Sequence, residues 1–243
     1  MDNEAHGNAD FSLALETSCA RGGVALGTGI EVLGVRKLEG PRKHATDLLP
    51  AIDDLCREHL VKPDMIRQVY VSIGPGSFTG LRIGIAVARA LALATRVKIV
   101  GVPTLEVIAQ NAAQATAPPG QVAVILDAKR RRVYANVFQR RGTGYVSQFE
   151  TAEVPPLEFL RRQSRDCAVL GEGVRQHEEA VAAAGLTILP ESLYSPRAEI
   201  LYQLGVERAA EGRFTDPRLL VPLYVRRPEA EERWEQRHAG QSG

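Results

Sequence analysis

Residues 72–84 read Ser72-Ile73-Gly74-Pro75-Gly76-Ser77-Phe78-Thr79-Gly80-Leu81-Arg82-Ile83-Gly84, and this run constrains the fold more than any other. The residues before it, 69–73, are apolar and partly β-branched, the pattern of a short buried strand. Gly74-Pro75-Gly76 is a turn, because glycine admits positive φ and proline fixes its own φ. Ser77 or Thr79 then caps a helix predicted to run to about Thr95, its oxygen accepting from amides that the first turn leaves unpaired. Strand, glycine turn and helix start together gather backbone N–H groups at one point. That geometry suits an anion or a closely approaching backbone. It is not a Walker A loop, since no Lys-Ser or Lys-Thr pair follows the last glycine, and it lacks the dinucleotide-binding glycine spacing. A capped turn without a ligand accounts for the same residues.

The flanking sequence predicts a mixed α/β sheet. Short strands over 11–16, 22–27 and 31–38 are joined by polar or glycine connections, as in an antiparallel meander. Leu48, Leu49, Ile52, Leu55 and Cys56 recur at helical spacing over 44–59. After the 79–95 helix come a strand over 98–101 and a helix from Leu105, capped by Thr104. Ala115-Thr116-Ala117-Pro118-Pro119-Gly120 marks a boundary. Beyond it the order restarts, with strands over 122–126, 132–139 and 145–149, then helices over 157–165, 174–184 and 197–211. Two similar α/β lobes over 11–114 and 121–226 follow, the second smaller, with flexible tails at 1–10 and 227–243. Trp234 in the second tail either docks on the body or stays exposed.

A hydrophobic content of 44% and a charged content of 24% are ordinary for a soluble protein. A net charge of +1 gives no whole-molecule field for nucleic acid and leaves only a local basic patch. Aromatics at 5% argue against a base-stacking platform. Residues 1–10 are polar and acidic, unlike a signal peptide. The apolar stretch 83–94 is interrupted by Arg89 and reads as too short to span a bilayer. A cytoplasmic protein without a membrane partner is expected. Cys19, Cys56 and Cys167 lack metal-ligand or redox spacing and are expected to be reduced and partly buried.

The 72–84 run resembles the signature of the TsaB (YeaZ) family, a subunit of the bacterial machinery for tRNA threonylcarbamoyladenosine modification. The likeness continues through Ala86 to Ala94 into Gly101-Val102-Pro103-Thr104-Leu105-Glu106. Leu13-Ala14-Leu15-Glu16-Thr17-Ser18 resembles the family's opening strand and turn. Arg42-Lys43-His44-Ala45-Thr46-Asp47-Leu48-Leu49-Pro50 resembles its Arg-x-His-Ser-Glu-x-Leu-Leu-Pro segment and departs from it at Ala45-Thr46-Asp47. Asp127-Ala128-Lys129 and Val133-Tyr134 fit later positions, and Pro222-Leu223-Tyr224-Val225-Arg226 resembles the closing Pro-x-Tyr-x-Arg. The match is dense from Phe11 to Thr104, thinner to Arg226, and covers neither terminus. The resemblance implies two actin-like, heat-shock-ATPase-like lobes. It also implies pairing through the first lobe's helices, with a second copy or with the catalytic paralogue TsaD, and an assembly that the ATPase TsaE joins.

Catalytic groups are sparse. His6, His44, His59, His177 and His238 are the only histidines, and no two are three to five residues apart. The resemblance implies that TsaD carries a His-x-x-x-His metal pair where this chain has Thr104-Leu105-Glu106-Val107-Ile108-Ala109. Actin-like ATPases grip phosphate with one turn per lobe. Here Glu16-Thr17-Ser18 supplies the first, so Thr17 and Ser18 are weak nucleotide candidates. The second reads Leu126-Asp127-Ala128-Lys129-Arg130, without the paired glycines that let amides reach phosphate. No tightly bound cofactor is expected, leaving room for weak or partner-shared ATP or ADP. Ser18, Ser77 and Ser195 lack the Gly-x-Ser-x-Gly context of a nucleophile. His44 with Asp47 reads as a capping or surface pair, or as a general base.

Two surfaces remain. Lys129-Arg130-Arg131-Arg132 is either a solvated hairpin turn or a contact for tRNA phosphates or an acidic partner, which Arg161, Arg162 and Arg165 would enlarge. The 79–95 helix is apolar nearly all round and must be buried on nearly all sides, within the monomer or against a partner. With the family's pairing mode, Gly80, Leu81, Gly84, Ile85 and Ala88 are expected at the interface, with His44, Leu48 and Ile52. The sum is a non-catalytic scaffold and activator of TsaD in threonylcarbamoyl transfer to the adenosine beside the anticodon. The alternative is a stand-alone glycoprotease-like hydrolase.

Overall fold

The computed structural model describes residues 10–39 and 43–225, so the tail expectations, including Trp234, lie outside the described residues. The chain opens with β1 (Phe11–Glu16), β2 (Arg21–Thr28) and β3 (Glu31–Glu39) as the predicted antiparallel meander. There follow α1 (Lys43–Glu58), β4 (Ile66–Gly74), α2 (Phe78–Thr95), β5 (Lys98–Pro103) and α3 (Thr104–Gln110). The first sheet has the order β3-β2-β1-β4-β5, with β1, β4 and β5 parallel. The second half holds β6 (Gln121–Asp127), β7 (Val133–Arg141), β8 (Gly144–Ser147), β9 (Ala152–Val154), α4 (Pro156–Arg161) and β10 (Cys167–Leu170). It ends with α5 (Gly173–Gln176), α6 (Glu178–Ala184), β11 (Thr187–Ile188) and α7 (Ala198–Ala210). Its sheet runs β11-β10-β6-β7-β8, with β9 beside β7.

β1 is buried at all six residues because both faces of its sheet are covered. Leu13 and Leu15 point to the face under α1 and α2, with Leu48, Leu55, Ile85 and Ala88. Ala14 points to the other, with Tyr70, Val100, Leu201 and Tyr202. That second face is covered by α7, from the far end of the chain. Gly205 lies so close to Tyr70 that an added Cβ would stand 2.1 Å from the ring, and Tyr202 meets Tyr70 edge-on at 5.4 Å. Conversely, α3 sends Leu105, Ile108 and Ala109 into the core of the second sheet. The lobes named from sequence as 11–114 and 121–226 therefore exchange a helix each. Sequence order could not show it, since packing partners are non-local.

Smaller differences have local causes. The helix expected over 174–184 breaks at His177, whose backbone is non-helical, giving α5 and α6. Pro103 rather than Thr104 occupies the cap of α3, and Thr104 is a buried first-turn residue. β9, β10 and β11 are short strands whose pairing, not their composition, defines them. By length and composition α2 is long enough to cross a membrane, unlike the shorter apolar stretch read from sequence. Here it packs along the first sheet with Arg82 and Arg89 exposed.

Candidate functional site

The signature turn joins the two ends of the chain. Ser77 is the cap of α2: its Oγ accepts from the Gly80 amide at 3.2 Å, while Thr79 is exposed. The Ser77 amide donates to the Ser18 carbonyl at 2.6 Å. An added Cβ at Gly76 would stand 2.2 Å from the Ser18 oxygen, one at Gly80 2.0 Å from the Thr17 oxygen, and one at Gly84 2.4 Å from Thr17 Oγ1. Backbone does approach Gly76 and Gly80 closely, and a side chain Gly84, but both belong to the chain's own first turn. Gly74 needs no side chain either, at φ +107°. On the outer side, Leu223 donates its amide to the Ile73 carbonyl at 2.6 Å. Tyr224 packs on Phe78, whose ring also carries the Arg82 guanidinium 3.7 Å from its centre. The 72–84 run and the Pro222-Leu223-Tyr224 segment thus form one surface.

These contacts correct the expected interface. Gly80, Leu81, Gly84, Ile85 and Ala88 are buried in the chain's own core, as are Leu48 and Ile52. The side chain of His44, on the first turn of α1, lies outside the described set. The same two helices leave a different ridge uncovered. Leu49 and Pro50 of α1 are exposed, as are Ala86, Ala90 and Leu93 of α2, the last at 89%. Ile83, Val87 and Leu91 are half-buried beside them.

A cleft of about 470 Å³ lies between the two sheets, lined among others by Ser18, Ser77, Asp127, Lys129, Tyr134 and Glu172. The two turns at its edge are the ones expected from sequence to face a nucleotide. Glu16, fully buried, accepts from the Ser18 amide at 2.8 Å and the Ser18 hydroxyl at 2.5 Å, and also from Ser72. In the opposite turn Asp127 accepts from the Lys129 amide at 3.0 Å and from Lys129 Nζ at 2.7 Å. In each turn a carboxylate has taken the amide two residues on. Burial pushes the Glu16 carboxyl up; the Ser18 and Ser72 hydrogen bonds oppose this, and nearby Glu172 adds to it. At Asp127 burial acts in the same upward direction, but the Lys129 bonds and charge, with His177, outweigh it and hold the carboxyl below its ordinary value.

The basic run is a tight left-handed turn: Lys129, Arg130 and Arg131 have φ of +64°, +52° and +59°. Side chains rarely adopt this conformation, at a cost of about 1–2 kcal/mol per residue. The Asp127 bonds on one side and the Arg132–Glu153 pair at 2.9 Å on the other hold it. Lys129 and Arg132 are thereby committed to carboxylates. Arg130 and Arg131 are exposed. Arg161, Arg162 and Arg165 do not line the cleft, and Arg162, at the end of α4, pairs with Glu158 of that helix.

The three hydroxyls of the hydrolase alternative have other roles. Ser18 donates to Glu16, Ser77 caps α2, and Ser195 donates to Glu172 at 2.8 Å. Among the described residues none of them bonds a histidine, and no group of three or more His, Cys, Asp or Glu could hold a metal. Burial pushes the cleft-lining Cys19 thiol far up, away from a thiolate. The Glu106 that follows Thr104-Leu105 pairs with Arg208 of α7. Sequence reasoning missed Glu172. Its signal was the Gly171-Glu172-Gly173 trio, where Gly171 has φ +111° and both glycines press on Ile125 and its neighbour.

Fold and site define a protein of two mixed α/β lobes in which two turns facing a shared cleft each bond an amide to a carboxylate of their own. Residues 31–234 match the family model described as TsaD: tRNA N6-adenosine threonylcarbamoyltransferase. The chain is 30% identical to the tRNA threonylcarbamoyladenosine biosynthesis protein TsaB of Bacillus subtilis, over 91% of this chain and 96% of the relative. The TsaB of Escherichia coli is 30% identical over 76% and 82% of the two chains. The solved structure of YeaZ from Pseudomonas aeruginosa superposes with a TM-score of 0.75 at 28% identity, covering 88% of this chain and all of that one. The chain belongs to the TsaB (YeaZ) family.

Proposed function

We propose that this chain serves tRNA threonylcarbamoyladenosine biosynthesis as a non-catalytic subunit that scaffolds and activates a TsaD partner. TsaE joins the assembly, and tRNA is met through the complex, in the cytoplasm. The observation that carries this reading is the uncovered apolar ridge of α1 and α2; a carboxylate holding an amide in each of the two cleft turns supports a non-catalytic role. Leu49, Ala86, Ala90 and Leu93 lose water on pairing, and apolar burial contributes roughly 25 cal/mol per Å². The same ridge pairs two copies when TsaD is absent. Nucleotide is bound weakly or shared with the partner.

The test is to mix the purified chain with its own organism's TsaD, measure co-elution, and assay modified nucleoside with and without each protein. The chain alone should yield none and TsaD activity should rise with it. Full activity of the chain alone, or peptide hydrolysis by it, would favour the enzyme readings instead.

A further inference from the structure

We infer that the corner between β2, β3 and the start of α7 is a binding site for a phosphate group. A pocket of about 280 Å³ opens there, separate from the cleft between the lobes. Strand register explains its lining. Gly23 pairs with Lys37, two positions from Arg21, so Arg21, Gly23 and Lys37 share one face of the first sheet. A Cβ on Gly23 would stand 3.3 Å from that of Ala198, so this face looks toward α7. With no side chain at Gly23, the space stays open between Arg21 and Lys37 on the sheet and Arg197 on the approach to α7.

Three cationic side chains from three segments therefore line the pocket; among the described side chains Glu199 is the one lining carboxylate, and in register Glu39 is the cross-strand partner of Arg21. The Glu199 carboxylate lies 3.5 Å from Arg197 Nε, an ion-pair contact that leaves the buried Nε–H without a hydrogen bond. The Arg197 side chain nonetheless stays 29% exposed on the pocket wall, which leaves surface for an anion beyond the Glu199 contact. The first amides of the 13-residue α7 open beside it, without a side-chain cap. Two guanidinium forks and an ammonium match a doubly charged tetrahedral group better than a carboxylate. The volume lies just under the roughly 300–1,000 Å³ of pockets that enclose drug-sized ligands, so the occupant is one phosphate and its nearest substituent. The phosphate can belong to a small phosphorylated compound or to an RNA backbone.

The experiment titrates the full chain with inorganic phosphate in a phosphate-free, low-salt buffer, by calorimetry and ³¹P NMR. Wild type should bind at millimolar phosphate or better, and Lys37→Met and Arg197→Gln should each weaken binding about tenfold or more. Arg213→Gln, whose side chain is exposed beside Glu211, should leave it unchanged. Should Arg197→Gln unfold, exposed Lys37 decides alone. No binding by wild type, or equal binding by Lys37→Met, overturns the site. A second arm measures a short RNA stem-loop against the same variants. Parallel loss identifies a backbone phosphate, and loss confined to free phosphate identifies a small compound. TsaD co-elution should not change in these variants, which keeps this test separate from that of the proposed function.

Discussion

The Lys129 amide donates to Asp127 Oδ1 at 3.0 Å, just as the Ser18 amide donates to Glu16 in the other lobe. The two turns use opposite electrostatics for the same task. Glu16 is fully buried and held toward its neutral form, while Asp127 stands at the cleft rim and is held ionised. Their responses to pH have opposite sign.

Asp127→Ala should destabilise the protein by about 2 kcal/mol near neutral pH, the scale of a charge-assisted hydrogen bond. The folded-state carboxyl titrates below its unfolded value, so its contribution is present above the unfolded value near pH 4 and is lost as pH falls through the folded one. Denaturant melts at pH 7 and at about pH 3 should show the gap between variant and wild type closing in acid. A constant gap would mean the aspartate acts through packing alone.

Glu16→Gln should behave in the opposite way. A raised folded-state pKa gives a contribution that is full below the unfolded value and lost as pH rises through the folded one. Glutamine keeps an acceptor for Ser18 without a buried charge. Near neutral pH the variant should equal or exceed wild type, by a gain on the order of 1 kcal/mol, and its stability should vary less between mildly acidic and neutral pH. Loss of more than about 2 kcal/mol at neutral pH would show that the ionised form holds the turn.

Isolated protein should bind ATP weakly or not at all, since in each of the two cleft turns a carboxylate holds the amide two residues on and stands where a phosphate would be repelled. Calorimetry finding micromolar affinity or tighter, on the order of −8 kcal/mol, would mean that these turns open for nucleotide.

On α2, Leu93→Glu and Ala86→Glu should fold normally by circular dichroism yet fail to co-elute with TsaD. Ile85→Glu should unfold, because it places an unpaired charge in the core at a cost of about 3–5 kcal/mol. Retained TsaD binding by both surface variants would remove α2 from the interface.

Local chemistry made much of the first lobe legible. Short strands with polar or glycine connections gave β1 to β3, Ser77 or Thr79 marked the start of α2, and its end falls at Arg96, where φ turns to +62°. The interface residues were misread for one reason. Small and apolar residues spaced along a helix do not say which neighbour they meet. Gly80 and Gly84 meet Thr17, and only tertiary structure brings Thr17 beneath α2. Likewise nothing near Gly23 or Lys37 in sequence announces Arg197. The closed turns were half legible: the missing glycines at 127–129 were visible, but not that Glu16 and Asp127 accept the amides themselves.

The late arrival of α7 has a consequence for how the chain is made. The first sheet is complete at Pro103, yet the face carrying Ala14, Tyr70 and Val100, touched by Val107 of α3, lacks its main cover until Ala198–Ala210 has been synthesised. At about 5–20 residues per second, that interval is on the order of ten seconds. Through it, a nascent lobe with correct pairing still presents an apolar face to the ribosome's surroundings, and a chaperone that shields that face would act before release and not after.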